Sequence, residues 1–160
     1  MRAEPSPLPD IRPLTVDERR LATGMFGNAI DLDRVRILRR KWFPFQPRRV
    51  TMAPRGAIHF HPKGDGYCAC FARRSLGWQG LLIHELVHVW QHQQGINLVL
   101  RRHPFCRYRY TIRPGWAFAR YGIEQQAEIV RHAFLARHGI AAEGAPPPAV
   151  LEALLPFPPA

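Results

Sequence analysis

The spacing of apolar residues changes period along the chain, and each change marks an element. Thr15-Val16-Asp17-Glu18 sets a hydroxyl ahead of a helical pattern with a carboxylate three residues on. That is the form of a capping box and predicts a short helix to about Phe26, closed near Gly24 or Gly27. Charged and apolar residues nearly alternate over 34–39, which reads as a strand. Two further strand-like runs, 49–53 and 57–61, flank Pro54-Arg55-Gly56 and predict a β-hairpin. In its second arm Ile58 and Phe60 share one face and His59 and His61 the other. Residues 75–94 form the strongest predicted helix, without proline and ending at Gly95. Its Leu81, Leu82, Ile83, Leu86, Val87, Val89 and Trp90 wrap most of the circumference, as in a core helix. Residues 105–112 alternate weakly, as a strand or an extended connector. Ile123, Ala127, Val130 and Phe134 form one stripe of a second helix over 122–138, ended by Gly139.

The pattern is that of one domain. Residues 1–13 hold four prolines and are expected to be a flexible arm. Residues 14–140 carry the globule. From 141 a proline-rich tail follows, with a short helix near Val150–Leu155. The length of 160 residues and the 46% hydrophobic content support a packed core without disulfides. Strands ahead of two strong helices predict an α+β fold.

Composition adds four points. No apolar stretch is long enough to cross a membrane. The N-terminus has no apolar signal-peptide core, so the expected compartment is the cytosol, with export by a route that needs no signal peptide left open. Cys68, Cys70 and Cys106 are an odd set without a second metal-binding pair, and they are expected as free thiols. The net charge of +11 comes nearly all from arginines spread over every segment, with no run of five. It reads as compositional bias more than as a nucleic-acid surface, and there is no base-recognition motif.

The core helix carries His84-Glu85-Leu86-Val87-His88, an H-E-x-x-H motif. Residues at i and i+4 lie on one helix face, so both imidazoles can reach one Zn²⁺ ion. Glu85, about 100° round the helix, can take a proton from a water that the metal activates. Two histidines and a glutamate inside an apolar helix would be costly to bury unpaired, and ligation removes that cost.

A catalytic zinc site needs a third protein ligand. The metzincin extension fails, because its positions hold Gln91 and Gln94. His92 continues the i+4 series, but a straight helix cannot wrap three such residues round one ion. Glu124 and Glu128, at i and i+4 on the second helix, begin 36 residues after His88 and are the better candidates. Their ordinary alternative is a solvated acidic face paired with Arg120 or Arg131. His103, before Pro104, is the rival third ligand. His59 and His61 are expected as surface residues. Tyr108, Tyr110, Tyr121, Arg131 and His132 are open candidates for stabilising an oxyanion.

The motif with Glu124-Gln125-Gln126-Ala127-Glu128 resembles the gluzincin-type metallopeptidases. The resemblance implies a zincin-like fold, Glu124 as the third zinc ligand and Glu128 as the carboxylate that orients a ligating histidine. The departure is Glu where the family has Asp at 128, one methylene longer. Phe45-Gln46-Pro47-Arg48, His103 to Tyr108 and Tyr121 to Glu128 further resemble small bacterial proteins labelled "Vgr-related". This resemblance covers roughly residues 13–138 and implies an association with type VI secretion.

Three functions follow as expectations. The first is a zinc metallopeptidase acting on a peptide or protein, with Glu85 as general base. The second is a catalytically silent zincin-fold partner of a secretion system. The third is a basic DNA-associated protease.

Overall fold

In the computed structural model, which describes residues 7–102 and 106–157, a small mixed sheet lies against the first of two long, mutually packed helices. The fold is α+β, as expected. β1 (Ile11–Arg12) pairs antiparallel with β2 (Arg36–Leu38), and β2 pairs parallel with β3 (Ala57–His59). The parallel register sets Ile37 beside Ile58, and both are fully buried. Joining two such apolar centres explains why β3 takes β2 as its main partner.

The hairpin expected from 49–53 and 57–61 is therefore reduced to one rung. Met52 and His59 exchange two backbone hydrogen bonds, at 2.7 and 3.2 Å, as an isolated antiparallel bridge. The Gln46 side-chain amide, donating to the carbonyls of Val50 and His59, supplies the rest of the tie. His59 is buried, not on the surface. Its Nδ1 meets the Arg40 carbonyl at 3.2 Å, and burial depresses its pKa.

The arm expected to be loose through residue 13 is fixed at its end, by β1 and by Arg12. Arg12 is buried and makes a two-pronged ion pair with Glu18, at 2.8 and 2.9 Å. Glu18 belongs to α1 (Val16–Phe26) and is fully buried. It closes the predicted capping box with Thr15 and also accepts from the Phe71 amide at 2.7 Å. One carboxylate thus joins the chain before α1, the start of α1 and the turn before the core helix.

That helix, α2 (Leu76–Gln93), packs along α4 (Ile123–Arg137). Leu82, Ile83, Leu86, Val87 and Val89 are buried on α2, and Ala127, Ile129, Val130, Ala133 and Phe134 on α4. A short α3 (Leu98–Arg101) and an irregular connector join them, so residues 106–112 form the connector and not a strand. The C-terminal segment adds α5 (Pro148–Leu154), whose Leu151 belongs to the core. Phe157 then inserts edge-on between Phe26 and Trp90. Cys68, Cys70 and Cys106 are free and half-buried.

Candidate metal centre

The α2–α4 seam brings the ends of three side chains to one point. His84 and His88, one helical turn apart, project from the same face of α2. Glu124 stands opposite, in the first turn of α4. The separations are 3.2 Å from His84 Nε2 to His88 Nε2, 3.2 Å from His84 Nε2 to Glu124 Oε2 and 3.1 Å from His88 Nε2 to Glu124 Oε2. All three residues are buried. Ligands at about 2.0–2.1 Å from a tetrahedral zinc lie about 3.3 Å apart, so the triangle matches in size.

The hydrogen bonds behind the triangle decide which atoms face inward. The Tyr121 carbonyl can only accept, and it takes the Gln126 amide N–H at 2.8 Å. The Gln126 oxygen must then face Gln91, from which it accepts at 2.9 Å, while Gln91 also donates to the Ile123 carbonyl at 3.0 Å. This leaves the Gln91 oxygen to accept from His88 Nδ1 at 2.8 Å. The chain of donors runs one way only, and it commits the His88 proton to Nδ1 and turns the Nε2 lone pair to the centre. His84 Nδ1 donates to Glu128 Oε1 at 2.8 Å, which turns its Nε2 inward as well.

The electrostatics agree with a site built for a cation. Burial alone would raise the Glu124 and Glu128 carboxyls. The His84 and His88 imidazoles beside Glu124, and hydrogen bonds from His132 and His84 to Glu128, hold both well below the usual carboxylate range. Burial pulls the His84 imidazole down, but Glu124 and Glu128 outweigh it and raise it to about 9. Among the buried polar atoms without a hydrogen bond are Glu124 Oε1 and Glu85 Oε2. Among the described residues Glu124 Oε1 has only a longer ion-pair contact, at 3.4 Å, to Arg102 Nε. Two imidazole nitrogens, one carboxylate oxygen and a free acceptor beside them suit zinc, and the residues present fit it.

The site opens to a cleft of about 1020 Å³ whose walls include His84, Glu85 and His88. Of the five candidates for oxyanion stabilisation, Tyr108 and Arg131 line this cleft. Tyr108 stacks on His84 with ring centroids 6.1 Å apart. Tyr121 instead accepts from the Arg113 amide, and Tyr110 meets His132, which stands behind Glu128. His92 is exposed and packs against the turn at Gly56, away from the centre. His61 lines the cleft without joining the triangle, and His103 lies outside the described residues.

Gln91, Gln126 and Arg102 are the residues that motif reading passes over. In motif terms Gln91 counts only against a metzincin extension. A glutamine one turn beyond an H-E-x-x-H motif, on the buried face of an apolar helix, is itself a signal, because it must find partners there.

No family model matches the chain. In an alignment 135 positions long that covers 79% of the chain, it is 40% identical to the type VI secretion system spike protein VgrG2b of Pseudomonas aeruginosa, and it spans 13% of that protein. Its structure matches the effector domain of Pseudomonas aeruginosa VgrG2b with a TM-score of 0.76 and 38% identity, covering 89% of this chain and 80% of that one. With that identity carried over four fifths of the solved domain, the chain belongs to the family of the VgrG2b effector domain.

Proposed function

We propose that the chain is an effector domain associated with a type VI secretion apparatus and that it acts as a zinc-dependent, zincin-like peptidase. The observation that carries the reading is the triangle of His84, His88 and Glu124, with Glu85 Oε2 beside it free of hydrogen bonds among the described residues. Zinc, when bound, supplies a Lewis acid that lowers the pKa of a water to about 7. Glu85 Oε2 accepts no hydrogen bond among the described residues, and it would hold the proton of an attacking water and return it to the leaving amine. Glu128 holds the His84 ring in place, and Gln91 holds that of His88. Tyr108 and Arg131 stand on the cleft wall where a carbonyl oxygen would gain negative charge. The substrate is a peptide or protein, and synthesis in the cytosol with export through the apparatus goes with this reading.

A second reading, a catalytically silent binding partner of the apparatus, draws on the same likeness to a spike protein. One experiment separates the two. Zinc is measured by elemental analysis in the wild type, His84→Ala and Glu85→Gln, with turnover followed on a pool of fluorescence-quenched peptides. We expect about one zinc per chain in the wild type and in Glu85→Gln, and none in His84→Ala. Turnover should fall at least about 100-fold in Glu85→Gln. A wild type without zinc overturns the metal site. Zinc without turnover in the wild type overturns the peptidase in favour of the silent partner, and turnover unchanged in Glu85→Gln overturns Glu85 as the base and leaves the peptidase standing.

A further inference from the structure

We infer that the cleft selects acidic polypeptides, through three unpaired cations on the wall that faces the metal centre. The inference rests on the peptidase reading for its site and adds the substrate's chemical class. Five basic residues line the cleft. Arg131 is engaged with Glu128 at 3.3 Å, and Arg102 with Glu124 at 3.4 Å. Arg48, Arg49 and Lys63 are exposed and take part in no ion pair among the described residues. Their charge is felt locally. Desolvation first, then Lys41, Arg48 and Lys63, depress the neighbouring His61 imidazole.

The same wall offers a backbone edge. Met52 spends both its amide and its carbonyl on His59. Strand alternation therefore turns the amide and carbonyl of Thr51, which lines the cleft, the other way. An extended peptide can add there as a further strand, as peptides do on free sheet edges. Paired at Thr51 and passing the turn at 48–49, it would carry side chains past Arg48, Arg49 and Lys63, where Glu or Asp gains and Lys or Arg is repelled. The cleft also holds Asp65, Glu85 and Glu128. A nucleic acid bears a charge at every step and would meet them, whereas a peptide places its acids only where the cations stand. The occupant is therefore an acidic peptide, not a polyphosphate.

The test uses the full chain carrying Glu85→Gln, so that binding is read without turnover. Fluorescein-labelled alternating Glu-Ala and Gln-Ala peptides are titrated by anisotropy at about 0.15 M salt. We expect the Glu-Ala peptide to bind at least about tenfold more tightly. Arg48→Glu/Arg49→Glu/Lys63→Glu should abolish that preference, while Arg20→Glu/Arg34→Glu/Arg40→Glu, equal in charge but outside the cleft, should keep it. Arg48→Gln/Arg49→Gln/Lys63→Gln repeats the measurement if the reversed variant does not fold. No preference for Glu over Gln, or equal loss in both sets of variants, overturns the inference. So does tighter binding of a single-stranded DNA oligonucleotide with the same dependence on the cleft cations. Cleavage of the peptide pool by the wild type without a bias to acidic sequences overturns the substrate class and leaves the peptidase standing. A Glu-Ala preference in a protein that cleaves nothing has the opposite meaning.

Discussion

His88 Nε2 lies 3.1 Å from Glu124 Oε2, acceptor facing acceptor. The Nδ1 proton of His88 is committed to Gln91, so neither atom brings a proton to the contact. Two lone pairs at that distance in a buried site repel unless a cation lies between them. Glu124→Gln removes the anion and keeps the shape. We expect it to weaken zinc binding by at least about 100-fold in chelator competition, with the helical circular dichroism unchanged. An affinity within about threefold of the wild type would remove Glu124 from the ligand set.

The one-way chain from Tyr121 to His88 makes a sharper demand. Gln91→Leu fits the buried volume but leaves His88 Nδ1 without its acceptor. Zinc affinity should fall about 10- to 100-fold. The ¹⁵N shifts of the His88 ring should show loss of the Nδ1–H tautomer, a readout that needs no turnover. Retention of both tautomer and affinity would leave Gln91 a packing residue.

Glu18 links stability to pH. Burial would raise its carboxyl, but Arg12 and the Phe71 and Thr15 amides hold it below its ordinary value of 4.5. A depressed carboxyl contributes stability that is fully present above the ordinary value and is lost as pH falls through the folded one. Urea midpoints should therefore drop below about pH 4.5 in the wild type. Glu18→Gln, which leaves Arg12 buried without its partner, should lose about 3 kcal/mol near neutral pH and flatten that acid limb. A midpoint curve parallel to that of the wild type would contradict this.

Phe157 measures what the tail contributes. It is 7% exposed and touches Phe26, Trp90 and Phe118. Phe157→Ala should destabilise by about 3 kcal/mol in urea unfolding, with zinc affinity unchanged when the protein is folded. A cost under about 0.5 kcal/mol would mean that the tail merely covers the core.

Much of this was legible in local pattern. The capping box at Thr15, the span of α2 and the stripe of α4 are short-range signals, and the structure repeats them nearly residue for residue. The i, i+4 spacings of His84 with His88 and of Glu124 with Glu128 likewise survive, because helix geometry alone puts each pair on one face. What failed was non-local. The choice of β2 over 49–53 as the main partner of β3 depends on Ile37 meeting Ile58 across the sheet, and nothing within either segment states it. The burial of Arg12 depends also on the Cys68 carbonyl, 56 positions away, and the role of Gln91 depends on Gln126 and Tyr121, 35 and 30 positions away. Such polar partnerships leave no periodic trace, because each is a single contact.

The single rung between Met52 and His59 has a consequence for motion. The helices that hold the triangle are tied by full ladders of hydrogen bonds and a shared core. The segment 49–53, whose first three residues wall the cleft, is tied by two backbone bonds and one glutamine. Opening free energies scale with what must be broken, so amide exchange at Met52 should run at low protection while α2 and α4 approach the global limit. A strand added at Thr51 would supply the missing second side of a ladder. Slowing of exchange in this one segment, with the helices unaffected, would then report that the cleft is filled.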